Sequence, residues 1–273
     1  MREIQKIELR QLEISDFKNL TESMKAAYEN WSGGWWDEHH IQKLIDIFPE
    51  GQLVIVADDE IAGCALSLIV DYDKFGDNHT YAKITGNYTF STHDPNGDVI
   101  YGIEVFIKPD FRGLRLGRRL YDARKELCEN LNLEAVVFGG RIPNYHKYSN
   151  ELTPRQYIDK VKLKELYDPT LTFQLSNDFH VNKVIKGYMP GDDESEDYAV
   201  LLEWNNIYYV EQEPQLSDQK TVVRLGLIQW QMRPYNGIDE LFEQIEFFVD
   251  AVSGYKSDFA LFPEFFNAPL MAK

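Results

Sequence analysis

Two features of this chain have residue types and spacing suited to chemistry. The first is "RGLRLGRRLYDAR" at 112–124, directly after the apolar run "YGIEVFIKPDF". A strand, a short basic loop and a helix in that order make an anion cradle. The N–H groups of a glycine-lined loop turn inward, and the helix adds its unpaired first-turn donors and its dipole. Gly113 and Gly117 let a bulky pyrophosphate approach without a Cβ clash. Arg112, Arg115, Arg118 and Arg119 add positive potential. The spacing is not the dinucleotide G-x-G-x-x-G. It is not a P-loop either, because no Gly-Lys-Ser/Thr occurs. A strand-to-helix turn with solvated arginines is the competing reading. The second feature is Glu104, a carboxylate inside the apolar strand. Such a group is costly unless it faces a wet cleft or finds a cation. It is therefore either a general base or half of an ion pair.

Composition narrows the partners. The chain has 273 residues, 44% of them hydrophobic, and a net charge of −17. That length supports one large domain or two smaller ones. Such acidity disfavours broad binding of nucleic-acid phosphates; it either suits cationic small molecules, amines among them, or serves only solubility. Cys64 and Cys128 both sit in apolar patterns and suggest no disulfide framework and no metal site, so a reducing, cytoplasmic setting fits. The N-terminus is charged and lacks the apolar core of a signal peptide. No run of about 18 apolar residues exists, so no membrane span is expected. His39 and His40 are adjacent, point apart on a helix and are expected at the surface. His93-Asp94 either lines an acceptor site or caps a turn.

These residues need a scaffold, and periodicity supplies one. Strands are expected at 6–14, in a hairpin turning at Asp58–Glu60, within 80–90, at 99–108 and 133–140, and in a final pair split by "PGDDESED". Helices are expected after a cap at Ser15 or Asp16, around Ile41, Leu44, Ile45 and Phe48, and after the loop, with Leu116, Leu120, Ala123, Leu127 and Leu131 on one face. Thr153, Pro154 and Gln156 form a capping-box start. A linker is expected at 211–220, dividing a 1–210 domain from a 221–273 tail of β-α-β form.

Strand order and "VFIKPDFRGLRLGRRLYD" together resemble the GCN5-related N-acetyltransferase (GNAT) family over roughly 6–210. The family pattern Arg/Gln-x-x-Gly-x-Gly/Ala reads here as Arg112-Gly113-Leu114-Arg115-Leu116-Gly117, with Arg115 replacing the middle glycine. The resemblance implies an α/β (α+β) fold: a mixed, mostly antiparallel central sheet flanked by helices. It implies acetyl-CoA as co-substrate, its pyrophosphate held by residues 112–118, Arg118 included. The pantetheine arm would lie along the backbone of Phe106 and Ile107 like an added strand. A bulge there would splay this strand from 133–140. Acetyl transfer to a primary amine by direct attack would then use Glu104 as base. The family's acid, a tyrosine, is not in place. Phe173 and Gln174 stand where it is expected, leaving Tyr145 and Tyr148 as alternatives, Tyr148 the better. A non-catalytic acyl-CoA-binding or sensing domain is the alternative function.

The tail, "VRLGLIQWQ", a helix and "DFALFPEFF", resembles the opening of the carbon–nitrogen hydrolase (nitrilase) superfamily. Glu264 matches the general base of that family's Glu-Lys-Cys triad. No cysteine follows it, and the only later lysine is Lys273, so the triad is incomplete. The resemblance implies a truncated bifunctional protein whose amide or nitrile hydrolysis, and any homo-oligomer formed through the hydrolase-type domain, would need a longer chain.

Overall fold

Apolar runs build the middle of one sheet and alternating runs its edges. The computed structural model describes residues 4–28, 34–211, 223–268 and 270. In chain order the first elements are β1 (Ile7–Gln11), α1 (Phe17–Ala27), α2 (Glu38–Ile47), β2 (Leu53–Ala57), β3 (Glu60–Val70), α3 (Tyr81–Ile84) and β4 (Val99–Ile107). Then come α4 (Leu116–Asn130), β5 (Ala135–Arg141), α5 (Pro154–Lys162), α6 (Pro169–Leu175), β6 (His180–Lys186) and β7 (Tyr198–Asn205). The strands form a seven-stranded sheet in the order β1-β2-β3-β4-β5-β7-β6. Only β4 and β5 run parallel; the other neighbours are antiparallel. This is the mixed, mostly antiparallel sheet that the sequence implies.

Helices cover both faces. Leu20 and Met24 of α1, Ile41 and Leu44 of α2 and Tyr81 and Ile84 of α3 pack on one side. Tyr121 and Cys128 of α4, Tyr157, Ile158 and Val161 of α5 and Leu171 of α6 pack on the other. Ile41 and Leu44 are fully enclosed, each stabilising by roughly 1.5–3 kcal/mol. Thr153 and Gln156 close their capping box on α5.

Three local expectations change. The strand expected within 80–90 is the short helix α3, capped by Thr80 Oγ1 on Lys83 N–H, followed by turns. Asn87, Tyr88 and Phe90 all have positive φ, which no strand accommodates. Asp16 precedes α1 without a capping bond; its carboxylate takes both ends of the Arg10 guanidinium instead. On α4 the buried stripe turns away from Leu131, which is 41% exposed, and takes in Arg124 at 2%.

The chain divides into two compact units, Met1–Val210 and Glu211–Lys273. The expected linker, beyond residue 211, lies outside the described residues. In the second unit β8 (Leu225–Leu227) and β9 (Phe259–Leu261) pair in parallel across α7 (Ile238–Gly254). Its core is Ile228, Trp230, Tyr235 and Leu241. On α7, Ile238, Phe242 and Val249 are exposed. Among the described residues no helix is long and apolar enough to cross a membrane.

Candidate functional site

The sheet opens at its only parallel junction. β4 and β5 pair at Val99–Ala135, Ile100–Val136 and Tyr101–Val137, and stop there. Both strands continue, β4 to Ile107 and β5 to Arg141, so a seam is left between them. The cause is a bulge. Against β3, Leu66 faces Glu104 while Ser67 faces Gly102, leaving Ile103 as the extra residue. The sequence places this bulge at Phe106–Ile107; it lies earlier in the strand. A bulge re-aims side chains. Tyr101, Ile103 and Phe106 all point to the α1 side, and Glu104 joins them instead of alternating away.

There Glu104 Oε1 accepts from Tyr28 Oη at 2.6 Å and from Val105 N–H at 3.0 Å. Burial pushes its carboxyl pKa upward; these bonds and the more distant Arg141 charge oppose the rise. No ion pair holds Glu104 among the described residues, and Arg141 instead engages Asp192 and Glu194. Tyr28, beside this carboxylate, is held well above the usual phenol range, first by burial and then by the Glu104 charge. A carboxylate with a raised pKa at an open seam can take a proton from an ammonium brought beside it.

The loop lies at the open end of β4. Pro109–Phe111 make one tight turn, and Phe111 anchors it in the core with Leu116 and Leu120. Arg112, Gly113, Leu114, Arg115, Arg118 and Arg119 are exposed. Arg112 reaches back to Ile107 O and Ala27 O, each at 3.4 Å. Gly113 has φ +83° and open space where a side chain would stand. Arg115 precedes α4 at φ 59°, with no side-chain cap on the helix. The first-turn N–H groups of α4 are thus left for a ligand. The glycine missing from the loop pattern is missing where the backbone is left-handed, which costs a side-chain-bearing residue about 1 kcal/mol. Arg115→Gly is therefore expected to raise unfolding stability by about 1 kcal/mol, measurable by urea titration; an unchanged midpoint would show that the arginine carries no backbone strain.

Gly117 also has a packing reason to be glycine. A Cβ there would meet Phe173 Cζ at 2.6 Å. Its missing side chain makes room for Phe173 of α6. Phe106 is buried edge-on to Tyr28. Ile107 pairs with Gly63 of β3, so its other backbone edge faces the seam.

Sequence reading missed two groups at the junction. Arg124 lies beneath the bulge, and its Nη2 donates to Leu66 O at 3.0 Å and Glu104 O at 2.9 Å. Its place four residues after Leu120 on a buried stripe was an available signal. On the other face His79 Nε2 meets Tyr101 Oη at 2.7 Å, and Tyr101 Oη meets Tyr188 Oη at 2.8 Å. Tyr188 fills the space above Gly139. Burial lowers the His79 pKa. Nothing in the polar segment around His79 announces this contact.

Other expected residues lie apart from the junction or take structural roles. Tyr148 leans on Tyr157 of α5, with ring centroids 5.5 Å apart, and Tyr145 Oη donates to Leu152 O. His93 stacks on Phe48 and accepts from Ile69 N–H, while Asp94 caps Asn96, so this is the turn reading. His40 belongs to the α2 capping box and His39 is exposed. Cys64 and Cys128 are buried free thiols. Glu264 is exposed in the turn after β9.

A sheet split at a parallel β4–β5 junction, with a basic loop leading into a helix, matches known proteins. The acetyltransferase (GNAT) family model covers residues 17–148. The uncharacterized N-acetyltransferase YkwB of Bacillus subtilis (strain 168) is 34% identical over 174 residues, 64% of this chain and 76% of its own length. The chain belongs to the GNAT acetyltransferase family, whose members use acetyl-CoA. The probable hydrolase YhcX of the same organism is 38% identical over 268 residues, 98% of this chain and 52% of its own. The chain thus spans about half the length of that relative. Among solved structures, the loading GNATL domain of CurA from Lyngbya majuscula has a TM-score of 0.64 at 26% identity, covering 74% of this chain and 98% of its own.

Proposed function

We propose that residues 1–210 form an N-acetyltransferase that moves an acetyl group from acetyl-CoA to a primary amine by direct attack. The observation that carries this reading is Glu104, turned by the bulge onto the face of the open seam and held there by Tyr28, with no ion pair among the described residues. The residues present fit the co-substrate. Gly113 leaves an open approach, α4 begins without a cap, and Arg112, Arg115, Arg118 and Arg119 stand around it. Loop residues 112–118 would hold the pyrophosphate, and the free edge of Phe106 and Ile107 the pantetheine arm. Acetyl-CoA supplies an activated thioester carbonyl. Glu104 takes a proton from the acceptor ammonium, which frees the nitrogen lone pair. Tyr28 and the Val105 N–H hold the carboxylate in place. The acidic surface favours a cationic small-molecule acceptor.

Calorimetry with acetyl-CoA is expected to show binding, and a primary-amine panel to release CoA thiol. No binding would sink the proposal. Binding without thiol release would favour the second reading, a domain that senses acyl-CoA. Gln174 at the place of the usual acid favours that second reading.

For residues 221–273 we infer the opening of a carbon–nitrogen hydrolase domain, with Glu264 as its base. Support comes from the "FPE" turn after β9 and from the name and greater length of YhcX. Amide or nitrile hydrolysis would then belong to a longer protein.

A further inference from the structure

One buried charge at the seam has no part in the chemistry described above. Arg124 of α4 is 2% exposed. Among the described residues the arginines in ion pairs are Arg10, Arg118 and Arg141, and Arg124 is not one of them. Its Nε makes no hydrogen bond there either. Burial pushes its pKa downward, yet a guanidinium stays charged at neutral pH. Enclosing such a charge without a counter-ion is expensive. The sheet makes room for it: a Cβ at Gly102 would stand 2.7 Å from Nη1 and 3.2 Å from Cζ. What it holds is the bulge. An extra residue disrupts the ladder locally, and side chains take the carbonyls there. Arg124 Nη2 donates to Leu66 O and Glu104 O, and Tyr81 Oη donates to Ile103 O at 2.9 Å. The bond to Glu104 O reaches further. The peptide group that accepts from Arg124 at its carbonyl also carries the Val105 N–H, and that N–H donates to Glu104 Oε1 at 3.0 Å. Guanidinium, peptide group and carboxylate thus form one chain of hydrogen bonds.

The geometry points to Arg124 as a positioning residue for the base: it fixes and polarises the peptide group between Glu104 and Val105, whose N–H holds the Glu104 carboxylate. This rests on the acetyl-transfer reading above and adds to it a group from the α4 side of the sheet, opposite the face that holds Glu104. Hydrogen bonds in series strengthen one another. A cation at the carbonyl makes the N–H of the same peptide a better donor, and its charge favours the ionised carboxyl. A neutral amide would satisfy the two carbonyls; the guanidinium adds the charge. The titratable and charged side chains that feel the Glu104 charge are Tyr28, Cys64, Tyr81, Tyr121, Arg124 and Arg141. Burial lifts the three phenols and the thiol above their ordinary values, so all four are neutral where a carboxyl titrates. Arg141 is committed to Asp192 and Glu194. Arg124 is the cation bonded to the peptide beside the carboxylate.

Val105 supplies the readout. Its amide resonance, followed by NMR of the whole protein across acid pH, is expected to titrate with the Glu104 carboxyl. In Arg124→Met the midpoint is expected about 1 pH unit higher than in wild type, because the carboxylate loses charge and donor strength together. Arg124→Lys keeps the charge and a donor for the carbonyl, and is expected to bring the midpoint back toward wild type. Equal midpoints in wild type and Arg124→Met would overturn the proposal. So would a Val105 amide that does not titrate in wild type, a result that needs no variant to fold. Kinetics give a second test. At a pH on the acidic limb, Arg124→Met is expected to slow acetyl transfer about 10-fold, and to leave Glu104→Gln no slower than it already is. The same fold loss in both backgrounds would mark a purely structural role and overturn the assignment. Absence of thiol release from wild type, with midpoints that shift as stated, would remove the acetyl-transfer reading and leave the coupling of Arg124 to Glu104 standing.

Discussion

Glu104→Gln is expected to lower turnover of acetyl-CoA with an amine roughly 10²–10⁴-fold, the usual worth of a general base, while the affinity for acetyl-CoA stays the same. Gln keeps the shape and can still accept from Tyr28 and Val105, so the bulge should persist. The two effects of this change separate. Burial raises the Glu104 pKa in the folded state above its reference of 4.5. A carboxyl with a raised folded pKa binds more protons folded than unfolded, so its contribution falls as pH rises. The penalty is absent below the reference value and complete above the raised one. Gln removes it, so the variant should be at least as stable as wild type at neutral pH and lose its advantage on acidification. Loss of activity with gain of neutral-pH stability distinguishes a base from a structural carboxylate. Tyr28→Phe adds a check of sign. Removing its hydrogen bond lets the Glu104 pKa rise further, so the acidic limb of the rate profile should move to higher pH. An acidic limb that stays put, or a Gln variant of undiminished rate, would remove Glu104 from the chemistry.

What could be read from sequence follows from how local each cause is. Thr153-Pro154-x-Gln156 states its helix start in four residues, and that start forms as written. The apolar run 99–107 identifies a central strand because only a strand with neighbours on both sides buries so much. The bulge at Ile103 is different. It depends on β3 supplying Leu66 and Ser67 as partners, and no pattern inside β4 announces it. Its consequence for Glu104 was legible only as a cost, a carboxylate where alternation and burial both object. Arg124 is a tertiary effect of the same kind. Its carbonyl partners come from β3 and β4, so its burial makes sense only once the bulge is known. Residues 80–90 mislead because Tyr and Thr favour strands by propensity, while Asn87, Tyr88 and Phe90 adopt left-handed turns to bring Tyr81 and Phe90 into the core.

The two loop glycines make the last and sharpest case, since sequence assigns them one role and structure gives them two. Gly113→Val should weaken acetyl-CoA binding by about 10–100-fold, seen by calorimetry. Its φ of +83° disfavours a β-branched residue by about 1–2 kcal/mol, and the new side chain would project into the open space where a phosphate approaches. Because that residue is exposed and touches nothing, melting should change little beyond the backbone strain. Gly117→Ala should do the reverse. Its Cβ would stand 2.6 Å from Phe173 Cζ, an overpacking worth about 1–3 kcal/mol. For a unit of this size that lowers Tm by about 2–4 °C per kcal/mol. Phe173→Leu, which withdraws the ring, should restore much of the loss in the double variant, because neighbouring sites couple. A Gly117→Ala protein of unchanged Tm and lost CoA affinity would return this glycine to the phosphate. Independent, additive losses in the Gly117–Phe173 pair would show that the contact between α4 and α6 is not what excludes a side chain. Tyr121 lies one turn further along α4 and touches Phe173 as well, so a shift of that ring would also disturb its packing.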